Sequence, residues 1–221
     1  MYEKIRANLL QIQEEIAPCK PRIIAVTKYF DEYAITNAYK AGLRDFGESR
    51  TVEACAKIER LPQEVRENSI FHFIGHLQTN KVKQTVKTFD YIHSVDSIKL
   101  AECISQHAKE IGKVQNVLIQ VNNANEEQKF GFSKEEIFEI FGQIKQLDGL
   151  CIKGVMNMAP LGIEDEEIGR LFSEIVEIRD ELEKRFGCKL EEISMGMSQD
   201  YKIAAQKGST MLRVGRKLFE Q

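Results

Sequence analysis

Leu190-Glu191-Glu192-Ile193-Ser194-Met195-Gly196-Met197-Ser198-Gln199-Asp200-Tyr201-Lys202-Ile203-Ala204-Ala205 reads as a short strand, a turn containing a glycine and a helix. Thr210-Met211-Leu212 then supplies the next strand, and Arg213-Val214-Gly215-Arg216 follows it. Strand, helix and strand in this order form a crossover unit, the element from which parallel sheets are built. Upstream the same alternation recurs. Ile23-Ile24-Ala25-Val26, Arg44-Asp45-Phe46, Ile70-Phe71-His72-Phe73-Ile74, Tyr91-Ile92-His93, Val117-Leu118-Ile119-Gln120-Val121 and Cys151-Ile152-Lys153-Gly154-Val155 are each too short for a helix and fit strands. Between them lie helical patterns, the clearest being Ile168, Leu171, Phe172, Ile175, Ile178 and Leu182 on one face, stopping near Gly187. Asp96 before Ser97-Ile98-Lys99 marks one helix start, and Ser133-Lys134-Glu135-Glu136 is a capping box. Eight strand–helix units predict an α/β fold closed as a single (β/α)8 TIM barrel. An open doubly wound sheet is the alternative, and no G-x-G-x-x-G follows the first strand to support it.

Ahead of the barrel, Ile5, Leu9, Ile12 and Ile16 form the stripe of an additional N-terminal helix, residues 1–17, which Pro18 and Pro21 stop. The 221 residues hold no Ser/Gly linker, charge block or repeat, so one domain spanning 1–221 is expected. Hydrophobic residues make up 43% and charged residues 29%, the usage of a protein with a sizeable core. Thirty-one basic against 34 acidic residues leave a net charge of −3 with no Lys/Arg block, so neither nucleic acid nor a membrane surface is an expected partner. No apolar run reaches the length of a membrane span, and Met1-Tyr2-Glu3-Lys4-Ile5-Arg6 is unlike a signal peptide. A cytoplasmic location is the expectation. The five cysteines, Cys19, Cys55, Cys103, Cys151 and Cys188, are odd in number and widely spaced, which argues against a disulfide framework or a zinc cage.

Working residues of such a barrel stand at the carboxyl ends of its strands. Strand one ends in Thr27-Lys28-Tyr29, and a lysine there loses hydration, which favours the neutral amine that attacks a carbonyl. A solvated loop lysine is the plainer reading. After strand seven, Gly196 lets the backbone approach an anion and the Ser198 hydroxyl can donate to it. An ordinary helix N-cap at Ser198 would use the same residues. Arg213, Gly215 and Arg216 follow strand eight, and the loops after strands seven and eight form the usual phosphate site of this barrel. Closure would bring Lys28 to the same mouth. The ligand class that fits both is a carbonyl-bearing phosphate ester, either a sugar phosphate or pyridoxal 5'-phosphate (PLP). His72 and His76 flank Gly75 without a supporting acidic residue, so no metal site is expected there.

These residues resemble the pyridoxal phosphate homeostasis protein family over nearly the whole chain. The resemblance is carried by Ile24-Ala25-Val26-Thr27-Lys28, Phe46-Gly47-Glu48-Ser49-Arg50, Phe71-His72-Phe73-Ile74-Gly75-His76-Leu77-Gln78-Thr79-Asn80-Lys81, His93-Ser94-Val95-Asp96-Ser97, Gln120-Val121-Asn122, Lys129-Phe130-Gly131, Gly154-Val155-Met156, Ser194 to Tyr201 and Arg213-Val214-Gly215. It implies a PLP fold-type III barrel, similar to the N-terminal domain of alanine racemase, with PLP held as a Schiff base on Lys28. Ser198 and the backbone around Gly215 and Arg216 match the family's phosphate cup, and Ser49 and Met156 fall among its cofactor-binding segments. Arg213 matches the arginine facing the pyridine nitrogen, where a cation disfavours ring protonation and weakens the electron sink. Ser49 stands where the family has asparagine, Phe71 where tryptophan is common, and Asn157-Met158-Ala159-Pro160 departs from the usual residues.

The function so implied is intracellular PLP homeostasis: storage, buffering or delivery of the cofactor to PLP-dependent apo-enzymes, by a monomer with no established catalytic activity. The alternative is a PLP-dependent amino-acid racemase or lyase of weak activity. A racemase of this type adds a second domain that supplies an opposing base, and too few residues follow Arg213 to build one.

Overall fold

The structure is a computed structural model that describes residues 1–124 and 130–219, so Lys129 of the Lys129-Phe130-Gly131 segment lies outside the described residues. Eight parallel strands close into a barrel in sequence order: β1 (Arg22–Val26), β2 (Asp45–Glu48), β3 (Ile70–Phe73), β4 (Tyr91–Val95), β5 (Gln115–Gln120), β6 (Leu150–Met156), β7 (Glu192–Met197) and β8 (Met211–Val214). Closure is made by β1 on β8, with Arg22 opposite Met211 and Ala25 opposite Val214. The crossovers carry α2 (Glu32–Lys40), α3 (Thr51–Glu59), α4 (Gln63–Glu67), α5 (Val82–Thr88), α6 (Ile98–Glu110), α7 (Lys134–Lys145), α8 (Asp165–Phe186) and α9 (Tyr201–Gln206). Helix α1 (Tyr2–Glu15) precedes the barrel and α10 (Arg216–Phe219) follows it. No helix among the described residues is long and apolar enough to cross a membrane.

Local chemistry accounts for the boundaries. Ser133 caps α7 in a reciprocal box with Glu136, and Ser97 caps α6 by accepting the Leu100 N–H. Gly187, in the left-handed region at φ 56°, ends α8. The stripe Ile5, Leu9, Ile12 and Ile16 is buried, which fastens α1 to the outside of the barrel.

Two boundaries differ from the sequence reading. Strand β7 begins at Glu192 and runs through Ser194, Met195 and Gly196, which the sequence assigns to a loop. Gly196 hides the strand because it stands at a register irregularity with φ 90°, and a Cβ there would fall 2.4 Å from that of Ala204. Strand β8 likewise extends to Val214, so Arg213 is a strand residue rather than a loop residue.

Along each strand alternate side chains face opposite ways. One set packs under the helices in the large outer core, as Ile23, Ala25, Phe46, Phe71, Phe73, Val155 and Leu212 do. The other set fills the barrel, where Ile24, Leu118, Met156 and Met211 form a small separate apolar cluster. The rest of that interior is polar: His72, His93, Ser194 and Arg213 are all buried.

Candidate functional site

A cavity of about 570 Å³ opens at the carboxyl ends of the strands, and Lys28, Ser49, His76, Ser198, Arg213 and Arg216 are among the residues that line it. The sequence places Lys28, Ser198, Arg213, Gly215 and Arg216 at one mouth and the resemblance adds Ser49; all six line this cavity. Met156 does not. Its side chain points into the barrel and is fully buried with Ile24, Leu118 and Met211; two residues on, Met158 lines the cavity in its place.

Lys28 leaves β1 into a turn and is half-buried, with its amine 5.1 Å from the centroid of the exposed Tyr29 ring. The backbone beneath it is held by a buried ion pair that sequence reasoning misses. Lys57 Nζ on α3 donates to Glu48 Oε1 at 2.7 Å and to the carbonyl of Thr27 at 2.8 Å, while the Thr27 hydroxyl donates to the same Glu48 oxygen at 2.7 Å. One cation thus ties the end of β1 to the end of β2 and sets Lys28 beside Ser49. Gly75 closes this corner: a Cβ there would lie 2.4 Å from the Ser49 carbonyl oxygen, so only glycine lets the two loops meet.

On the opposite side Ser198 is not the cap of α9, whose N-cap position is Asp200. Its hydroxyl instead accepts from the backbone N–H of Gly215 at 3.2 Å and of Lys217 at 3.4 Å, drawing the loops after β7 and β8 together. Helix α1 braces this cup from outside. Asn8 Nδ2 donates to the Leu218 carbonyl at 3.0 Å, and Glu15 meets Lys217, Lys202 and the Tyr201 hydroxyl. Arg216 is exposed and opens α10.

Arg213 forms the floor at only 4% exposure. Its Nη1 donates to the Ser194 carbonyl at 2.8 Å and the Ser194 hydroxyl at 2.6 Å, and its Nη2 donates to the Asn157 carbonyl at 2.8 Å. Burial pulls its guanidinium down to about 10, with Asp200 opposing, so it stays a cation at neutral pH. Asp200 itself is pushed up by burial.

His72 and His76, adjacent in the sequence motif, are parted. His72 is buried inside the barrel, while His76 stands at the mouth with Nδ1 3.1 Å from Asp96 Oδ2 and its ring stacked on Phe130 at 3.6 Å. Asp96, which the sequence assigns to a helix start, therefore orients a histidine instead.

The cavity's donors suit an anionic, acceptor-rich ligand. A guanidinium has five N–H groups and no acceptor. The three bonds above leave Arg213 two for a ligand in the cavity it lines, which fits a neutral pyridine nitrogen. The Ser198–Gly215 cup fits a phosphate, and the Lys28 amine fits an aldehyde.

Residues 2–220 match the family described as alanine racemase, N-terminal domain. The chain is 39% identical over 219 residues to the pyridoxal phosphate homeostasis protein of Synechocystis, covering 99% of this chain and 96% of that one. It is 36% identical over 198 residues to the protein of the same name from Aquifex aeolicus, covering 90% and 86%. Among solved structures, PipY of Synechococcus elongatus with PLP bound superposes with a TM-score of 0.88 at 36% identity, covering 97% of this chain and 99% of that one. Alanine racemase of Clostridium difficile shares the fold at a TM-score of 0.76 and 17% identity; 98% of this chain matches 56% of that one. The chain therefore belongs to the alanine racemase N-terminal-domain family, within it to the pyridoxal phosphate homeostasis proteins.

Proposed function

We propose that this chain binds PLP in the cavity at the carboxyl ends of the strands and acts in PLP homeostasis, storing the cofactor or handing it to apo-enzymes in the cytoplasm. The observation that carries the reading is the convergence of the Lys28 amine, the Ser198–Gly215 cup and the buried Arg213 cation on one cavity. PLP, when bound, supplies an aldehyde that condenses with amines and a ring that withdraws electrons. Lys28 is the amine that would hold the aldehyde, and the pair Lys57–Glu48 fixes the backbone from which it projects. Ser198 and the N–H groups near Gly215 would hold the phosphate, with Arg216 as the nearby charge. Arg213 would donate to the ring nitrogen, an arrangement that withholds a proton from it and supports a carrier over a carbanion enzyme. We read 1–221 as one domain, with α1 as the brace of the phosphate cup.

The test is the visible absorption spectrum of purified wild type and Lys28→Ala before and after borohydride, with the reduced adduct mapped by peptide mass spectrometry. An adduct on Lys28 supports the reading. An adduct elsewhere, or no uptake of added PLP, overturns it in favour of a sugar phosphate.

A second reading, weak amino-acid racemase or lyase activity, is favoured by His76. Oriented by Asp96 on the cavity wall, it is the acid–base group that the sequence alone does not place. Turnover of alanine that is lost in both Lys28→Ala and His76→Gln would support it, and absence of turnover in the PLP-loaded wild type would dismiss it.

A further inference from the structure

Five polar side chains from five strands cross the barrel in one hydrogen-bonded line. Arg213 Nη1 donates to Ser194 Oγ at 2.6 Å, and Ser194 Oγ lies 2.9 Å from His93 Nδ1. His93 Nε2 lies 2.9 Å from His72 Nδ1, and His72 Nε2 lies 2.9 Å from Asp45 Oδ1. The line starts on the floor of the cavity and ends at the first residue of β2, at the opposite end of the barrel, where the Asp45 side chain is 14% exposed. Ser194, His93 and His72 between them have no exposed surface. Barrel interiors are ordinarily filled with branched apolar residues, and a buried polar group carries a cost unless every partner is satisfied.

Hydrogen bookkeeping along the line runs from its carboxylate end. The Asp45 carboxylate can only accept, so a neutral His72 carries its hydrogen on Nε2 and leaves Nδ1 to accept. A neutral His93 then carries its hydrogen on Nε2, donates to His72 Nδ1 and leaves Nδ1 to accept from the Ser194 hydroxyl. Ser194 Oγ accepts from Arg213, which can only donate, so its own hydrogen is available to His93. The charges around the line agree with it. Burial holds His72 below the usual histidine range, and Arg22 adds to this, while Asp45 and Asp90 act in the opposite direction. His93 is held well below that range by burial, His72, Arg213 and Arg22. Tyr91 stacks on His72 at 5.0 Å, and Arg22 is itself engaged by Glu192 and by Asp45 at 3.7 Å.

We propose that Ser194, His93, His72 and Asp45 form a one-directional relay that positions Arg213 as a fixed donor toward the cofactor ring and ties its electrostatics to the carboxylate at the far end of the barrel. These four are positioning residues: none lines the cavity, and each acts through Arg213. The inference rests on the PLP reading for its consequence but not for its existence. An intact relay keeps Ser194 Oγ accepting from Arg213 Nη1 and so fixes the orientation of the guanidinium. Loss of direction at Ser194, or of charge at Asp45, is felt at the cavity although neither residue reaches it.

Two readouts test this. In the ligand-free protein, long-range ¹H–¹⁵N correlation spectra report the tautomers. His72 and His93 should both be Nε2–H and should not titrate between about pH 5.5 and 8.5, the window in which an ordinary histidine gains its proton. Asp45→Asn, at the rim, keeps the fold where Ser194→Ala could lose it; its amide can donate as well as accept, so the direction set by the carboxylate is lost and an Nδ1–H population should appear at His72 and His93. Ser194→Ala leaves Asp45 in place and should keep both histidines Nε2–H. In the PLP-loaded protein, the visible band of wild type should be invariant over the same range, and both variants should displace it by altering the contact or the charge behind Arg213. An Nδ1–H tautomer or a titrating histidine in wild type overturns the relay. So does a band in Asp45→Asn that matches wild type at every pH. Should wild type take up no PLP, the PLP reading fails, and the tautomer spectra alone decide the relay.

Discussion

Lys57→Met separates the consequence of a buried charge from that of a lost contact. Glu48 is buried at 2% side-chain exposure, and Lys57, whose side chain is 8% exposed, is its only cationic partner within 4 Å among the described residues. Methionine keeps most of the lysine's length and packing, so the change strips the charge and both hydrogen bonds of the amine while leaving little void. Removing one member of a buried pair costs about 3–5 kcal/mol, because the other charge remains without compensation. At about 2–4 °C per kcal/mol for a chain of this size, the melting temperature should fall by about 6–20 °C. Adding Glu48→Gln removes the stranded charge and should recover part of the loss. Thermal and urea unfolding of wild type, the single variants and the double variant at neutral pH measure all of this. A neutral-pH loss under about 1 kcal/mol, the range of exposed pairs, would refute the reasoning. A double variant no more stable than Lys57→Met would refute it as well.

Ser198→Ala removes the acceptor shared by the Gly215 and Lys217 N–H groups and, in the proposed site, a donor to phosphate, so the PLP dissociation constant should rise about tenfold, or ~1.4 kcal/mol, in a fluorescence titration. Unchanged binding would remove Ser198 from the cup. Gly75→Ala forces apart the loops that bear His76 and Ser49, because its Cβ would meet the Ser49 carbonyl oxygen at 2.4 Å, and should destabilise by about 1–3 kcal/mol in thermal unfolding. An unaltered melting temperature would show that the corner yields freely. Glu15 is held below the usual carboxylate range, chiefly by the Tyr201 hydroxyl, so its stabilisation is present above the unfolded-state value and is lost as pH falls through the folded-state value. The stability gap between wild type and Glu15→Gln should accordingly be full at neutral pH and close in acid, and a gap that persists in acid would contradict this.

Strand order, the Ser133–Glu136 capping box and the stripe of α1 are written in local sequence patterns, and for that reason they are legible without a structure. Ile5, Leu9, Ile12 and Ile16 specify one helical face whatever lies beneath it, and eight short apolar runs separated by helical patterns leave closure as the economical topology. Lys28, Ser198, Arg213, Gly215 and Arg216 were placed at one mouth by the same logic, because strand ends in a parallel barrel share a face. Met156 faces the barrel interior rather than the cavity, since pleat parity at the end of β6 depends on the register irregularity between β5 and β6, which no local pattern encodes. The sequence reads Ser194 as loop, because Gly196 interrupts the apolar run.

What only the tertiary structure decided is pairing over distance. His93 meets Ser194 across 101 residues, Asn8 meets Leu218 across 210, and Lys57 finds Glu48 by reaching back from a helix to the strand before it. A polar side chain carries no mark of its partner in the chain around it. Its role is fixed only when closure of the barrel removes water and leaves one set of donors and acceptors within reach.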